Sequence, residues 1–375
     1  MAVFAGSKPD ERWGVLSEMK EKIDKTGGAG KLDRIMGPAG ITGEALIITL
    51  QAAEEAYLIQ FALEKDLFEL FGPGKSAAEI SGRLGYDSRK TRALLDVYVS
   101  MGLLNKVYKP DVQIFKPSAI SRLYLKNSSP YSIRELIKGR FSRLMQPAEL
   151  EEKLSRSPVR PSTGPSAAGQ ARKDPGPFTR LMVQHARSSG SIRRLTGLVA
   201  AHPRFYRAGR VLDLGGSHGL YTAALCHINN SLEGVIFDLP EIIGVTRTYI
   251  EEYGLKERIK AVGGDFYQDS FGRGYQVVLA VNVFHRTPEM LQGVLQKIHT
   301  SLDPKGVLYL QHRYLNEKRT APKESALFYL NRTLEVDAFY LPTVREALHC
   351  GIEAGFRLSG LFRFRGGDTC LRLEK

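Results

Sequence analysis

Cysteine is scarce in this 375-residue chain. Cys226, Cys350 and Cys370 are odd in number and far apart, which excludes a disulfide framework and a zinc site built on paired cysteines. They read as reduced thiols, and no metal centre is expected. Long apolar runs are missing too. No N-terminal stretch has the pattern of a signal peptide, and the most apolar early segment, ALIITL, is far shorter than the ~20 residues that cross a bilayer. The expectation is a cytoplasmic protein with no membrane attachment.

Acid is in deficit, with 40 Asp and Glu against 53 Lys and Arg, a net charge of +13. Such an excess can serve nucleic acid, so its distribution matters. Residues 1–150 carry +4, residues 151–200 carry +6 and residues 201–375 carry +3. Nearly half the excess falls in one fifty-residue segment, which has five prolines between Pro158 and Pro177. That composition favours a linker over a packed element, either solvated or acting as a basic mouth for an anionic ligand.

What is present is a glycine-rich turn after an apolar strand, VLDLGGSHGL from Val211 to Leu220. Such turns hold a phosphate, a dinucleotide or S-adenosylmethionine, because glycine lets backbone approach a ligand. The dinucleotide spacing fails at Ser217 and Leu220, and no Gly-Lys-Ser/Thr closes this turn. The next strand, GVIFDLP, ends in Asp238, where a carboxylate accepts both hydroxyls of a ribose. A ribose without a pyrophosphate is expected.

The chain before the linker reads as helices. A long apolar helix, ALIITLQAAEEAYLIQFALEKDLFELF, stops at GPG and has too little polar face for a lone surface helix, which predicts burial against a partner subunit. SAAEISGRLG and SRKTRALLDVYVSMGLL follow with helix-turn-helix cadence, then a short hairpin, NKVYKPDVQIFKPS. Together these make a winged-helix module. Arg89, Lys90 and Arg92 open its second helix, where a DNA reader places contacts. From Gly209 strands alternate with helices up to a C-terminal hairpin, the pattern of a doubly wound sheet.

The carboxyl ends of successive strands thus carry Gly215, Gly216 and Gly219, then Asp238, then Asp265 with Phe266, then His285. A carboxylate and an apolar ring suit an adenine. With DLGGSHG, FDLPE, GGDF and VNVFHRTPE in that order, the chain resembles the class I S-adenosylmethionine-dependent methyltransferases, specifically the small-molecule O-methyltransferases with an N-terminal winged-helix dimerisation domain. The resemblance runs from about residue 40 to the C-terminus. It implies an α/β fold, a Rossmann-like doubly wound sheet at residues 201–375. Before it come an N-terminal extension (1–40), a mainly α-helical winged-helix dimerisation domain (41–150) and a basic linker with a cavity-lining helix (151–200).

The resemblance also implies roles. Gly215, Gly216 and Gly219 wrap the methionine part of the cofactor, Asp238 with Leu239 beside it binds the ribose, and Asp265 and Phe266 frame the adenine. His285 is the general base. Met182 and His185, on the segment FTRLMVQHARSS, lie near the acceptor, with His185 a second candidate base. Plainer readings stand beside these: Asp238 as a helix cap, Phe266 and Met182 as core packing, His285 as an ordinary strand-end histidine. The chain departs from the family at Arg286, where an acid usually follows the histidine, and at Gln311 and Leu341, which match two acids that flank the imidazole.

The reading is a homodimeric S-adenosylmethionine-dependent methyltransferase of an aromatic or polycyclic small molecule, at oxygen first, with carbon or nitrogen as alternatives. The missing acids and the basic segment together predict an acceptor that arrives ionised, met by Arg286, with His285 an auxiliary base. The rivals are a relative that binds the cofactor without transferring its methyl, hydroxylating or decarboxylating instead, and a DNA-binding regulator. The modest charge of residues 1–150 argues against the latter.

Overall fold

The computed structural model describes residues 44–108, 112–142, 147–155, 175–336, 339–364 and 367–375. The expected N-terminal extension and most of the proline-rich linker lie outside them. The chain forms two compact units, residues 1–116 and 117–375. Their boundary falls inside the segment expected as one domain, and the described residues between 117 and 150 cluster with the second unit.

In the first unit, helix α1 (Glu44–Glu64) is the long apolar segment of the sequence. Leu46, Ile47, Ile48, Leu50 and Tyr57 are each more than half exposed, whereas Ala62 and Leu63 at its end are buried with Leu67, Phe68 and Phe71. Among the described residues it contains the one stretch, Leu46–Glu64, long and apolar enough to cross a membrane by length and composition. Glu54 and Glu55 interrupt that stretch at its middle. Strand β1 (Lys75–Ser76) leads into α2 (Ala77–Leu84), whose Ser76 and Glu79 form a reciprocal capping box. Gly85 ends α2 in the left-handed region, φ 69°. Asp87 caps α3 (Ser88–Ser100) by accepting Lys90 N at 2.8 Å. Strands β2 (Leu104–Tyr108) and β3 (Gln113–Pro117) follow, in the order β1-β3-β2. This is a helix-turn-helix closed by a small sheet. Arg92 is engaged there by the side chain of Gln113.

The second unit opens with helices α4 (Arg134–Phe141), α5 (Pro147–Ser155), α6 (Gly176–Ser188) and α7 (Ser191–Ala200). Strand β4 (Arg210–Leu214), helix α8 (Leu220–Ile228), strand β5 (Glu233–Asp238), helix α9 (Pro240–Glu252) and strand β6 (Ile259–Gly263) then make the first half of the sheet. Strand β7 (Tyr275–Val281), helix α10 (Pro288–Ser301), strand β8 (Leu302–Arg313), helices α11 (Lys323–Thr333) and α12 (Val344–Glu353), and strands β9 (Arg357–Arg363) and β10 (Asp368–Glu374) complete it. The seven strands lie in the order β6-β5-β4-β7-β8-β10-β9. The first five are parallel, and β10 runs antiparallel between β8 and β9.

Alternation along the strands explains the two cores. Leu308 and Leu310 of β8 enter one cluster with Phe284 and Leu371, while Val307 and Tyr309 enter the other with Leu279 and Cys370. The strand order reverses between β4 and β7, and the carboxyl ends there are where a ligand sits in such a sheet.

Candidate active site

The glycine-rich turn leaves β4 at this reversal. Gly215 (φ 68°) and Gly219 (φ 69°) are left-handed, and a Cβ on Gly216 would come 2.6 Å from the Asp213 carboxyl carbon. Side chains are excluded from the turn by its own packing, which leaves a cradle of bare main chain. Asp213 is buried, accepts from Thr222 Oγ1 at 2.8 Å, and has its pKa pushed up to about 7 by that burial. His218, also buried, accepts Leu220 N on Nδ1 at 3.1 Å. Burial and the Arg187 charge push its pKa down to about 4, so it stays neutral.

Asp238 ends the adjacent strand. Its Oδ2 accepts Ser217 N at 2.8 Å and its Oδ1 accepts Leu239 N at 2.7 Å. One carboxylate therefore ties the glycine turn to the start of α9, and each oxygen keeps a lone pair for a ribose hydroxyl. Burial raises its pKa and the two N–H donors oppose that rise. The helix-cap reading does not hold, since the N-cap of α9 is Leu239 and no side chain caps the helix; Asp238 holds only the N–H of its neighbour there.

Asp265 and Phe266 follow β6. Asp265 Oδ1 accepts Tyr267 N at 2.9 Å and Oδ2 accepts Gln268 Nε2 at 3.1 Å, so the carboxylate closes its own turn. Phe266 packs edge-on to Phe284 at 5.7 Å and borders the cradle: a Cβ on Gly215 would lie 3.8 Å from its ring. Lys297 of α10, which sequence reasoning did not single out, donates to the carbonyls of Phe266 (2.8 Å) and Asp269 (2.5 Å). It fixes the turn that carries the ring. Nothing in the sequence signals this pairing across 31 residues.

His285 follows β7 after Asn282, whose backbone is left-handed at φ 55°. Asn282 Oδ1 accepts Arg313 N at 3.1 Å, and its carbonyl oxygen lies 2.9 Å from His285 Nε2. Nε2 thus carries the hydrogen, and Nδ1, buried, has no hydrogen-bond partner among the described residues. The ring stacks on Phe339 at 4.7 Å and 27°, meets His312 edge-on at 4.8 Å, and lies 6.3 Å from Phe328. Burial holds its pKa well below the ordinary histidine value, and the neighbouring His312 and Arg332 push the same way.

The positions matched to the family's acids fare differently. Leu341 is fully buried with Phe339 and Leu315. Gln311 donates to Asp368 Oδ2 at 3.3 Å, on the face of β8 opposite His312. The side chain that reaches His285 from β8 is His312, one residue on. Arg286 is half-buried, and its charge opposes the rise that burial causes at the Tyr267 phenol. His185 and Met182 are half-buried on α6. Burial lowers the His185 pKa, with the charges of Arg140 and Arg313 acting the same way and Asp368 opposing them; Arg313 also stacks on Phe328. Among the described residues no cluster of His, Cys, Asp and Glu could hold a metal.

The sequence profile of the O-methyltransferase domain matches residues 162–340. That span holds the cradle, Asp238, Asp265, Phe266 and His285 together. Residues 162–340 form an O-methyltransferase domain. The methyltransferase is 25% identical over 336 residues to the tetracenomycin polyketide synthesis 8-O-methyl transferase TcmO of Streptomyces glaucescens, covering 87% of this chain and 95% of that protein. Its fold matches an O-methyltransferase family protein from Burkholderia thailandensis with a TM-score of 0.69 at 22% identity, over 90% of this chain and 99% of that one. It likewise matches human N-acetylserotonin methyltransferase in complex with S-adenosylmethionine, with a TM-score of 0.66 at 18% identity, over 90% and 99%. The methyltransferase uses S-adenosylmethionine, and its bare main-chain cradle, the Asp238 carboxylate with lone pairs to spare and the bordering Phe266 ring fit that group.

Proposed function

We propose that the methyltransferase acts on a hydroxyl of a neutral polycyclic aromatic acceptor, with His285 as general base, and that it works as a cytoplasmic homodimer. The observation that carries the acceptor class is the setting of His285. Its imidazole is neutral, its Nδ1 has a lone pair to offer, and its walls are Phe339 and Phe328. Those rings suit an aromatic acceptor by area and by face. The similarity to an enzyme of tetracenomycin polyketide synthesis supports the same class.

The cofactor supplies an electrophilic sulfonium methyl and departs as a neutral thioether. The chain does the rest. Gly215 to Gly219 and Asp238 would hold the cofactor's methionine and ribose parts, Phe266, on the turn that Lys297 fixes, would border its adenine, and the aromatic cage would align the acceptor oxygen. Alignment is the larger part of catalysis in such a transfer, and proton removal adds to it when the hydroxyl arrives protonated. His285 Nδ1 takes that proton.

An ionised acceptor, expected from the sequence, finds less support. The arginines near the cage lie over its rings: Arg313 over Phe328, Arg332 over Phe339 and Arg319 between Tyr329 and Tyr340. An apolar cage favours a neutral partner over a charged one. The test is a set of matched phenols, aromatic carboxylates and anilines incubated with labelled S-adenosylmethionine, with products located by NMR. A methoxy product from the neutral phenols and a KM insensitive to salt is the expected result. Preference for carboxylates, with KM rising steeply with salt, would favour the ionised acceptor.

The dimer reading rests on α1. A row of Leu46, Ile47, Ile48 and Leu50 exposed on one helix is more apolar than a monomer's surface tolerates. Sedimentation in detergent-free buffer should give twice the 41.7 kDa chain mass at micromolar concentration. Asp substituted at Leu46 and Leu50 should yield a monomer that retains its fold. A wild-type monomer would contradict the reading.

A further inference from the structure

The turn that carries Phe266 joins β6 to β7 and is shaped largely from within. Asp265 N donates to Asp269 Oδ2 at 2.8 Å, and Asp265 O accepts Gln268 N and Asp269 N at 2.9 and 2.7 Å. Gly264 N, donating to Asp238 O at 2.9 Å, ties its entrance to β5. On the side of α10 the contact is different. An open cavity of about 370 Å³ lies there, lined by Gln268, Ser270 and Phe271 from the turn and the chain after it, and by Gln296, Lys297 and Thr300 from α10. Close packing of side chains, which fixes most of a protein interior, does not by itself set the turn on this side.

Lys297 reaches across. Leu291, Val294, Leu295 and Ile298 bury one face of α10 in the core, at spacings of three and four that make a single stripe. The helix is therefore a fixed base. From beside that stripe the Lys297 ammonium donates to Phe266 O at 2.8 Å and to Asp269 O at 2.5 Å, and it stands 5.3 Å from the centre of the Phe271 ring. Phe271 meets Phe237 of β5 edge-on at 5.9 Å. One cation thus holds the start of the turn, its end and its exit.

Hydrogen bonds from a charged donor are stronger than neutral ones, and a carbonyl held at residue 266 fixes the main chain from which the Phe266 ring projects. That ring lies edge-on to Phe284 and 3.8 Å from where a Cβ on Gly215 would stand. We propose that Lys297 is a positioning residue of the cofactor site, setting from behind the turn how tightly the adenine end is bound by holding the Phe266 ring in place. This rests on the placement of the adenine at Phe266. The contacts of the ammonium lie between Phe266 and Phe271, so its removal bears on the adenine end and not on the reacting atoms. Cofactor affinity should suffer and turnover should not.

The experiment is a double-mutant cycle read by calorimetric titration of S-adenosylhomocysteine into the full-length protein, Lys297→Met, Phe266→Ala and the double variant. Folded Lys297→Met, which keeps the length of the side chain without its donors, should bind about tenfold more weakly. Phe266→Ala should lose at least as much. The double variant should lose no more than Phe266→Ala alone, because the lysine acts through the ring. KM for S-adenosylmethionine should rise in step in Lys297→Met, with kcat within about twofold of the intact enzyme. Lys297→Arg, with its charge and more than one donor, should recover most of the affinity. If Lys297→Met does not fold, Lys297→Gln takes its place in the cycle. Unchanged affinity in the folded variant with only its melting temperature lowered, or losses from the two substitutions that add in full, would overturn the proposal and leave the adenine at Phe266. Unchanged affinity in Phe266→Ala would instead remove the adenine from that ring, and the proposal with it.

Discussion

His285→Ala lowers kcat by ~10²–10⁴, while KM for S-adenosylmethionine stays within about twofold, because the ring touches no part of the cradle or of the Asp238 cluster. The loss follows from removing the one lone pair placed for the acceptor hydroxyl, in a cage whose walls, Phe328 and Phe339, remain. The pH profile of the intact enzyme has a defined sign. Burial, His312 and Arg332 all hold the His285 pKa well below its ordinary value of 6.5. The imidazole is therefore in its accepting form at and below neutrality. kcat should stay level as pH falls through 6.5 and decline only well below it, as the ring protonates. A carboxylate-paired histidine would lose activity at higher pH. A decline centred near 7, or a loss of less than tenfold for the alanine variant, would return His285 to the auxiliary role that its missing acids suggest from sequence.

That contrast shows what a linear reading reaches. The placement of the glycine turn, Asp238, Asp265 and Phe266 at or just beyond the carboxyl ends of parallel strands was legible, because strand ends are marked by apolar runs that stop at Gly or Asp. The sheet order needs the same runs and a C-terminal hairpin, and LFRFRGGDTCLRLEK supplies it. What escaped is what depends on register and on contacts between distant segments. Gln311 and His312 are neighbours in sequence, yet strand alternation sends them to opposite faces, and only the residue facing Phe284 and Tyr314 meets His285. A one-residue uncertainty in alignment is enough to exchange a glutamine for a histidine. The Lys297 clamp on the Phe266 turn joins a helix to a loop with no periodic signal at either end. The boundary of the first unit at residue 116 was hidden for a related reason, since α4 is an ordinary amphipathic helix whose packing partner, α6, lies some forty residues further along the chain.

Asp238→Ala is the second large effect. The carboxylate joins two functions, holding Ser217 N and Leu239 N at 2.8 and 2.7 Å and presenting its remaining lone pairs at the ribose position. Charge-assisted hydrogen bonds of this kind contribute roughly 1.5–3 kcal/mol each. Losing two of them to the ribose, together with the tie that orders the glycine turn, should weaken cofactor binding by tens-fold or more. Asp265→Ala should cost less, because that carboxylate already closes its own turn through Tyr267 N and Gln268 Nε2. Far-UV circular dichroism separates lost affinity from lost fold.

The measurement that bears most directly on the whole account is calorimetric titration of S-adenosylhomocysteine into the intact chain and into folded Asp238→Ala. One site per chain in the intact protein, and affinity reduced by tens-fold or more in the variant, is the predicted result. Equal affinity in the two proteins would contradict the placement of the ribose on Asp238 and, with it, the arrangement of cradle, ring and base from which the reaction has been derived.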